Sequence, residues 1–378
     1  MTETRPKRVV FLIVDALPHR LVGSVSTPNI WRLSDDGAHR HRVEAAMSSA
    51  TYPNHATFAT GLEPVDHGVV TNRPWNPESG RHEKMSASRL PVPHLFEALL
   101  AAGRSVTITA GDPSIVRAMG GDALDAPWPP DGWSPKDHPE LGVDEYGYVT
   151  NDVVAARVRE DDALSADLAV IHLNDPDTAC HWFGPDSDGA AARIRDADRV
   201  VGELVDAVRS SGWDDTVLVI VSDHDQENVD PDRGVDIDGA LRAIGVVTHV
   251  EYEGTAALLG TPPAPPDVDA ETVASLAGVD GATALPDGRI LCWTTAGHIF
   301  SPSDDHGLRG AHGSPRTCDQ LAVVTGGHPA AADLSAALAA STPRAADWAP
   351  TLAALLGVEF RPVSTHARAG RDLLSTTV

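Results

Sequence analysis

Five short apolar runs constrain the fold of this chain more than any other feature of its sequence. They are rich in valine, isoleucine and leucine, and they read RVVFLIVD, SVTITA, LAVIHLND, TVLVIVSD and QLAVVTGG. Their apolar residues are nearly continuous rather than alternating, which is typical of strands buried on both faces of a parallel sheet. Such a sheet needs helices on both sides.

Helix patterns lie between these runs. In RIRDADRVVGELVDAVRSSG, apolar residues recur at helical spacing from Ile194 to Val208, and Gly212 supplies a stop signal. PHLFEALLAAG and DWAPTLAALLG also predict helices that end at glycine. Strands that alternate with helices predict an α/β fold, in which helices sandwich a mainly parallel central sheet.

The length of the chain favours one large domain with an insertion. The chain has 378 residues, of which 42% are hydrophobic, so it can bury a large core. The proline-rich stretch GTPPAPPDVDA at 260–270 reads as a connection, and ETVASLAGV, GATALPDG and RILCWTT follow it. We expect residues 1–378 to form a single α/β domain, with a small inserted helix and strand subdomain at approximately 245–300.

The charge of the chain excludes several kinds of partner. The formal net charge is −25, and lysine is scarce. Nucleic-acid polymers and anionic membranes are bound by basic patches, so the composition argues against both. No apolar stretch approaches the ~20 residues that cross a bilayer. If the substrate carries phosphate, bound metal would have to supply the positive charge.

The cysteines and the N-terminus favour a cytoplasmic protein. Cys180, Cys292 and Cys318 are too few and too scattered for a disulfide framework. The N-terminal apolar run follows basic residues, but it is short, ends at Asp15 and lacks a small-residue cleavage site. It therefore predicts a first strand rather than a signal peptide. The sequence leaves the oligomeric state open.

Acidic and imidazole side chains fall where the predicted strands end. Three strands are followed by such residues: Asp15; Asp175, Asp177 and His181; Asp223 and His224. Ligands of open α/β sheets bind beyond the carboxyl ends of the strands. His312 comes later, in RGAHGSP, between glycines that let the backbone turn closely. Carboxylate oxygens mixed with imidazole nitrogens suit zinc, or manganese or iron, better than calcium or magnesium.

Together these residues resemble the alkaline phosphatase superfamily, and within it the nucleotide pyrophosphatase/phosphodiesterases. The similarity is carried, in chain order, by LIVDAL, TYPNHATFATGLEPVDHG, DPDTACHWFGP, VSDH and AHGSP. It runs from residue 8 to about residue 318, and ADWAPTLAALLGVEF resembles the C-terminal helix of the family. SDH or HG alone is a weak signal, whereas the ordered set is specific.

The resemblance implies two divalent metal ions, Zn²⁺ in the first place, with Mn²⁺ or Fe as alternatives. One ion would be held by Asp15, Thr51, Asp223 and His224, and the other by Asp177, His181 and His312. The family pattern prefers Asp177, four residues before the histidine, over Asp175. It also prefers His312, which precedes glycine as in the family motif, over His306 in SDDHG.

Thr51 has two interpretations. As a structural residue, it would cap the helix PNHATFAT, with Pro53 in the first turn. In the family that the chain resembles, the threonine before YPN is the nucleophile, and a divalent cation lowers the pKa of its hydroxyl. We predict the nucleophile, because neither Ser48 nor Ser49 stands directly before YPN.

Three further residues are predicted to contact the substrate. Asn72, in HGVVTN, matches the family asparagine that donates to a phosphoryl oxygen, in the manner of an oxyanion hole. Tyr52 is placed on the leaving-group side, and Trp75 is a candidate for stacking on a base. Cys180 lies between predicted ligands and reads either as a soft ligand or, preferably, as a buried spacer.

The chain departs from the family pattern directly after His224. The family often continues SDH with glycine, whereas this chain reads SDHDQE. Asp225 and Glu227 either orient the imidazole or belong to a loop reshaped for another substrate. Arg73, Arg81 and Lys84 follow Asn72, and any of them could hold a carboxylate or a terminal phosphate.

The predicted function is a two-metal phosphodiesterase or pyrophosphatase that acts on a small nucleotide-like or other phosphodiester through a threonine nucleophile. One alternative is a C–P bond hydrolase that resembles phosphonoacetate hydrolase. A phosphomonoesterase is another, although no clear arginine equivalent or third metal site supports it. A non-catalytic binding protein would have lost a ligand, and every predicted ligand position is filled. The expected partner is a small anionic phosphate or phosphonate.

Overall fold

A computed structural model of the chain describes residues 5–261, 264–300 and 307–376. Within these ranges, the strands are β1 Arg8–Val14, β2 His39–Glu44, β3 Trp75–Asn76, β4 Arg81–His82, β5 Val106–Ala110, β6 Leu168–Leu173, β7 Thr216–Val221, β8 Glu227–Asn228, β9 Gly234–Val235, β10 Val250–Glu253, β11 Ala256–Leu259, β12 Val279–Ala284, β13 Ile290–Thr294, β14 Ile299–Phe300, β15 Gly310–Ala311 and β16 Asp319–Thr325. The α-helices of the same ranges are α1 Pro28–Arg32, α2 Thr51–Thr60, α3 Pro64–His67, α4 Leu95–Ala101, α5 Pro113–Ala118, α6 Asn151–Glu160, α7 Asp177–Phe183, α8 Asp188–Gly212, α9 Ile237–Ala243, α10 Ala270–Ala274, α11 Ala330–Ala339 and α12 Trp348–Leu355.

The central sheet has six strands in the order β2-β16-β7-β1-β6-β5. Strands β7, β1, β6 and β5 are parallel, whereas β16 runs antiparallel to β7, and β2 antiparallel to β16. The predicted α/β fold with a mainly parallel sheet is confirmed. The edge strand β2 was missed because its sequence, HRHRVE, is polar, with only two buried positions.

Helices cover both faces of this sheet, as the continuous apolar strands require. Phe11 of β1 packs on one face with α2, α4, α5, α11 and α12. Its neighbour Leu12 packs on the opposite face with α1, α6 and α8. Each such side chain, fully buried, contributes about 1.5–3 kcal/mol to folding. Both faces of β1 are therefore core, which explains why its sequence does not alternate.

The register of the parallel strands brings their carboxyl ends level. Ile13 of β1 pairs with Val221 of β7, and Val14 of β1 pairs with Leu173 of β6. Asp15 follows β1 immediately, and Asp223 lies two residues after β7. The polar side chains that follow these three strands consequently meet at one edge of the sheet.

A second, antiparallel sheet has the order β10-β11-β13-β12 and lies in the region predicted as an insertion. It has its own apolar cluster, which includes Leu259, Val273 and Cys292. Whether residues 245–300 form a separate subdomain stays a prediction. Within the described ranges, we find no helix that combines the length and the apolar character needed to cross a bilayer.

Candidate active site

The carboxyl ends of the central strands open into a cavity of about 230 Å³. Asp15, Thr51, Asn72, Asp177 and His312 all line it. The fold thus brings together side chains that are widely separated in the sequence. The cavity lies where ligands of open α/β sheets bind.

Asp15, Asp223 and His224 form the first group of candidate metal ligands, whose ligand atoms lie within 4.8 Å of one another. The Nε2 atom of His224 lies 3.5 Å from Asp15 Oδ1 and 3.3 Å from Asp223 Oδ2. The same nitrogen lies 3.1 Å from Thr51 Oγ1. Thr51, the fourth member of the predicted set, is therefore adjacent to the other three.

The tautomer of His224 follows from its second nitrogen. Nδ1 lies 3.1 Å from the carbonyl oxygen of Asp225, and a carbonyl oxygen only accepts hydrogen bonds. Nδ1 therefore carries the hydrogen, and Nε2 presents a lone pair to Asp15, Asp223 and Thr51. This is the arrangement of a metal-ligating histidine, whose other N–H is held by a carbonyl group.

Asp177, His181 and His312 form the second group, also with ligand atoms within 4.8 Å of one another. His181 Nε2 lies 3.5 Å from Asp177 Oδ1, while His181 Nδ1 donates to the carbonyl oxygen of Gly310 at 2.9 Å. The rings of His312 and His224 are 4.1 Å apart, so the two groups adjoin. Asp177 and His181 lie one turn apart on α7, which explains their four-residue spacing.

Burial leaves the first group without positive charge. Asp15 and Asp223 are 4% and 0% exposed, and Asp15 Oδ1 and Asp223 Oδ2 have no hydrogen-bond partner among the described residues. Burial, together with repulsion from Asp223, raises the pKa of Asp15 well above its ordinary value. Burial likewise raises the pKa of Asp223 and lowers that of His224 to about 4. Buried carboxyl oxygens without a partner, beside a neutral imidazole nitrogen, fit a divalent cation, whose charge would favour the ionised carboxylates.

Thr51 does not cap helix α2, so the capping interpretation is wrong. The N-cap residue is Ala50, whose backbone is extended, and Thr51 is the first helical residue. Asn54 holds the preceding loop, because its Oδ1 accepts from the N–H of Ala46 at 2.8 Å and its Nδ2 donates to the carbonyl of Ala50 at 3.0 Å. The hydroxyl of Thr51 is thereby left to face His224.

Asn72 is held beside Thr51 by two hydrogen bonds. Its side-chain Oδ1 accepts from the N–H of Tyr52 at 2.9 Å, and its own N–H donates to Glu253 Oε2 at 2.5 Å. Burial raises the pKa of Glu253 to about 8. Because the oxygen of the Asn72 amide is used by the helix, its nitrogen is left to donate into the cavity.

The structure brings Tyr52 to the cavity but not Trp75. The Tyr52 hydroxyl donates to Asp112 Oδ2 at 2.6 Å, and both residues line the cavity. Trp75 lies in the β3–β4 hairpin, where its ring is 5.4 Å from that of His82. It lines a different pocket, next to Arg289. Trp75 is not among the residues that line the cavity with Thr51, so its predicted substrate contact is not supported by the structure.

The competing hydroxyl and carboxylate candidates have other roles in the structure. Ser48 Oγ donates to the carbonyl of Val70, and Ser49 Oγ to that of Ser314, each at 2.7 Å. Asp175 Oδ2 pairs with Arg193 at 2.6 Å, and Asp175 belongs to neither ligand group. His306 lies outside the described residues.

The structure also shows the contacts of Cys180, Asp225 and Glu227, whose roles the sequence left open. Cys180 is buried with a free thiol, belongs to neither ligand group, and has a pKa raised well above its ordinary value by burial. Glu227 pairs with Arg316 at 2.7 Å, and Asp225 pairs with Arg20 at 2.9 Å. The carboxylates of Asp225 and Glu227 are therefore held by arginines, and the carbonyl oxygen of Asp225, rather than its carboxylate, orients the imidazole of His224.

Several cavity residues escaped the sequence analysis. His172 lies inside β6, where its Nε2 is 3.1 Å from Asp15 Oδ2. Asp112 follows β5, so the rule that polar residues gather at strand ends could have found it. Glu253 and Tyr148 also line the cavity. They come from β10 and from a loop, neither of which the apolar runs predicted.

Comparison with known proteins identifies the family. The family model described as type I phosphodiesterase / nucleotide pyrophosphatase matches residues 9–307. The chain belongs to this family. The family and its curated relatives are phosphodiesterase and nucleotide pyrophosphatase hydrolases, so the predicted branch of the alkaline phosphatase superfamily is confirmed.

The curated members of the family that the chain matches are longer proteins. Venom phosphodiesterase 2 of Crotalus adamanteus is 26% identical over 248 residues, which cover 64% of this chain and 29% of that protein. Human ectonucleotide pyrophosphatase/phosphodiesterase family member 5 is 24% identical over 243 residues, which cover 62% of this chain and 48% of that protein. The chain thus matches less than half the length of either relative.

Two solved structures share the fold of this chain. Murine ectonucleotide pyrophosphatase/phosphodiesterase 5, in an inactive form with AMP, has a TM-score of 0.70 at 17% identity, over 95% of this chain and 97% of that chain. Phosphonoacetate hydrolase of Sinorhizobium meliloti 1021, with phosphonoformate, has a TM-score of 0.65 at 17% identity, over 94% and 96%. At this identity the two structures show the alkaline-phosphatase-like fold alone.

Proposed function

We propose that this chain is a metal-dependent phosphodiesterase or nucleotide pyrophosphatase with Thr51 as its nucleophile. One observation carries the proposal: Thr51 Oγ1 lies 3.1 Å from the lone-pair nitrogen of His224, in a cavity lined by members of both ligand groups. Membership of the family supports the class of reaction. A small anionic substrate agrees with the size of the cavity, about 230 Å³.

Two divalent cations would occupy the two ligand groups, zinc in preference to manganese or iron. The donor sets support this, because each combines carboxylate oxygens with imidazole nitrogens. Three buried atoms of these groups have no hydrogen-bond partner among the described residues and are available to bind a cation: Asp15 Oδ1, Asp223 Oδ2 and His312 Nδ1. When bound, the cations would lower the pKa of the Thr51 hydroxyl and neutralise charge on the phosphoryl group.

The residues of the chain would carry the reaction in two displacements. The Thr51 hydroxyl loses its proton to solvent and Oγ1 forms a bond to phosphorus as the bond to the leaving oxygen breaks; the leaving oxygen takes up a proton from solvent. A water molecule then attacks the phosphothreonine and the Thr51–phosphorus bond breaks, so that one proton of that water goes to Thr51 Oγ1 and its oxygen stays on the phosphate. The side-chain nitrogen of Asn72 and the N-terminus of α2 stabilise the negative oxygens of phosphorus.

Aromatic side chains support a nucleotide-like substrate. Tyr146 and Tyr148 both line the cavity, and the ring of Tyr146 lies 5.8 Å from that of His181. Rings so placed can stack on a base while the phosphate lies between the ligand groups. The murine structure that shares this fold is a complex with AMP.

Hydrolysis of a C–P bond is the second candidate, and one observation favours it. Arg73 and Lys84 line a cavity that shares Tyr52 and Asn72 with the active-site cavity. A lysine or arginine there could hold the carboxylate of a phosphonate. The structural neighbour phosphonoacetate hydrolase binds phosphonoformate.

A cytoplasmic location is a further proposal, which the free thiols of the chain support.

Substrate preference and one threonine variant test the proposal together. We would compare kcat/KM of the zinc-loaded protein for bis-p-nitrophenyl phosphate, p-nitrophenyl phosphate and phosphonoacetate. Preference for the diester is expected, and Thr51→Ala should reduce it by orders of magnitude. Thr60→Ala is the matched control, because its hydroxyl bonds to its own helix at Ala56. Full activity of Thr51→Ala would exclude the nucleophile, and preference for phosphonoacetate would favour the second candidate.

A further inference from the structure

A third group of metal-ligating side chains lies outside the active site. His82 lies in β4, Glu251 in β10, and His249 directly before β10. One nitrogen of each histidine and one oxygen of Glu251 lie within 4.8 Å of one another. The group joins the β3–β4 hairpin, which follows Asn72, to the second sheet.

His82 presents a buried lone pair. Its Nδ1 lies 2.5 Å from the carbonyl oxygen of Arg73, which can only accept, so Nδ1 carries the hydrogen. Its Nε2 has no hydrogen-bond partner among the described residues, although the residue is only 7% exposed. Burial lowers the pKa of His82 to about 4, which keeps the ring neutral. A ring held by a carbonyl at one nitrogen and unpartnered at the other is poised to bind a metal.

His249 and Glu251 complete the donor set. His249 Nε2 lies 3.3 Å from Glu251 Oε2, while Arg73 engages the other oxygen of Glu251 at 3.2 Å. The ring of His249 stacks on that of His82, with centroids 4.8 Å apart. The side chain of His249 is 45% exposed, so water can reach this side of the group.

The separations suit a zinc ion after a small adjustment. Zinc binds nitrogen and oxygen ligands at about 2.0–2.2 Å with tetrahedral geometry, so two ligand atoms on one ion lie about 3.3–3.6 Å apart. Atoms within 4.8 Å of one another reach that spacing when the side chains approach one another by up to about 1.5 Å. The stacked ring of the exposed His249 must also turn toward the ion. The exposed side of His249 leaves room for a water molecule as a fourth ligand.

We propose that His82, His249 and Glu251 bind a late first-row divalent cation, zinc in the first place, at a site separate from the active site. Two imidazole nitrogens and one carboxylate oxygen are donors that zinc accepts, whereas calcium and magnesium prefer oxygen alone. A bound ion would fasten the hairpin to β10. That strand also carries Glu253, which accepts the hydrogen bond from Asn72.

The competing interpretation is that the two rings merely stack and that His249 and Glu251 form an ordinary ion pair or hydrogen bond without a metal. The chain offers a matched comparison in His138 and Glu140, which have the same spacing in sequence. His138 Nδ1 lies 3.4 Å from Glu140 Oε1, and its ring stacks on Trp133. Within the described part of the chain, no third metal-ligating side chain lies close enough to this pair to form a group with it.

The test counts zinc in four proteins. We would strip the wild-type chain and the variants His249→Ala, Glu251→Gln and His138→Ala with a chelator and reload them with zinc. Zinc per chain would be measured by mass spectrometry of the metal after gel filtration, and circular dichroism would establish that each variant is folded. Because the result is a difference between proteins, it does not depend on how many ions the active site holds.

Wild type and His138→Ala are expected to hold equal amounts of zinc, and His249→Ala one equivalent less. Glu251→Gln keeps the size of the side chain and is also expected to hold less zinc than wild type. It therefore tests the proposal if His249→Ala fails to fold. Equal zinc in all four proteins would overturn the proposal. The same loss in His138→Ala and His249→Ala would also overturn it, because a His–Glu pair without a third ligand would then suffice.

Discussion

Replacing Glu253 with glutamine should make the stability of the metal-free protein less sensitive to pH. Glu253 lies in β10 and lines the active-site cavity, and it is 5% exposed. Burial raises its pKa from an ordinary 4.5 to about 8, and the neighbouring Glu251 adds to the increase. The hydrogen bond donated by Asn72 acts in the opposite direction but is outweighed.

The sign follows from which state keeps the proton. Between pH 4.5 and about 8, the folded protein retains the Glu253 proton that the unfolded chain loses. The free energy of unfolding therefore falls as the pH rises through this window and levels off above it. One pH unit is worth about 1.4 kcal/mol, so the whole window corresponds to about 5 kcal/mol.

Glu253→Gln removes this dependence and keeps the hydrogen bond, because the amide oxygen can accept from the N–H of Asn72. At pH 4.5 wild type and variant should be about equally stable, and at pH 9 the variant should be more stable by several kcal/mol. Urea unfolding in the presence of a chelator, repeated between pH 4.5 and 9, measures the difference. Glu359→Gln, on the surface, is the control.

A constant difference between wild type and Glu253→Gln across that range would refute the reasoning, because it would mean that Glu253 titrates alike in both states. A second readout concerns catalysis. A charge on Glu253 above pH 8 would repel an anionic substrate from the cavity, so KM should rise there for the wild type. The variant should show a smaller rise.

Two further predictions concern catalysis and the core. Asn72→Ala should lower kcat by about 10²–10³-fold, because the variant loses one hydrogen-bond donor to a phosphoryl oxygen. Asn76→Ala, in the neighbouring hairpin, is the control and should leave kcat unchanged. Steady-state kinetics would measure kcat of both variants. Phe11→Ala should lower the free energy of unfolding by about 3–5 kcal/mol, because Phe11 is 0% exposed and its ring packs against Phe58 and Trp348. Denaturant unfolding would measure it, and a loss below 1 kcal/mol would contradict the packing argument.

The strand-end rule explains how much of the site the sequence could predict. Asp15 and Asp223 follow continuous apolar strands, and the register of a parallel sheet forces such residues together. Asp177 and His181 could be predicted for another reason, because a four-residue spacing places both side chains on one face of α7. The end of an apolar strand and a four-residue helical spacing are both visible in a short stretch of sequence, so the sequence reveals these residues.

Long-range contacts explain what the sequence could not predict. Glu253 reaches the cavity only because the second sheet packs against the loop of Asn72, and no local pattern encodes that contact. Trp75 lines another pocket for the same reason, because the direction of a hairpin with strands of only two residues depends on what it packs against. His172 was overlooked because an apolar strand gives no hint that one interior side chain faces Asp15.

The departure from the family pattern after His224 gains a physical account from these contacts. A glycine at position 225 would remove the carboxylate by which Asp225 anchors the loop to Arg20. The next residue, Gln226, donates to the carboxylate of Asp177 at 2.5 Å and to its carbonyl at 3.1 Å. The loop thereby ties the strand end that carries the first ligand group to the helix that carries the second. We expect a shorter residue at position 226 to loosen Asp177, because the Gln226 side chain makes both of these hydrogen bonds to Asp177.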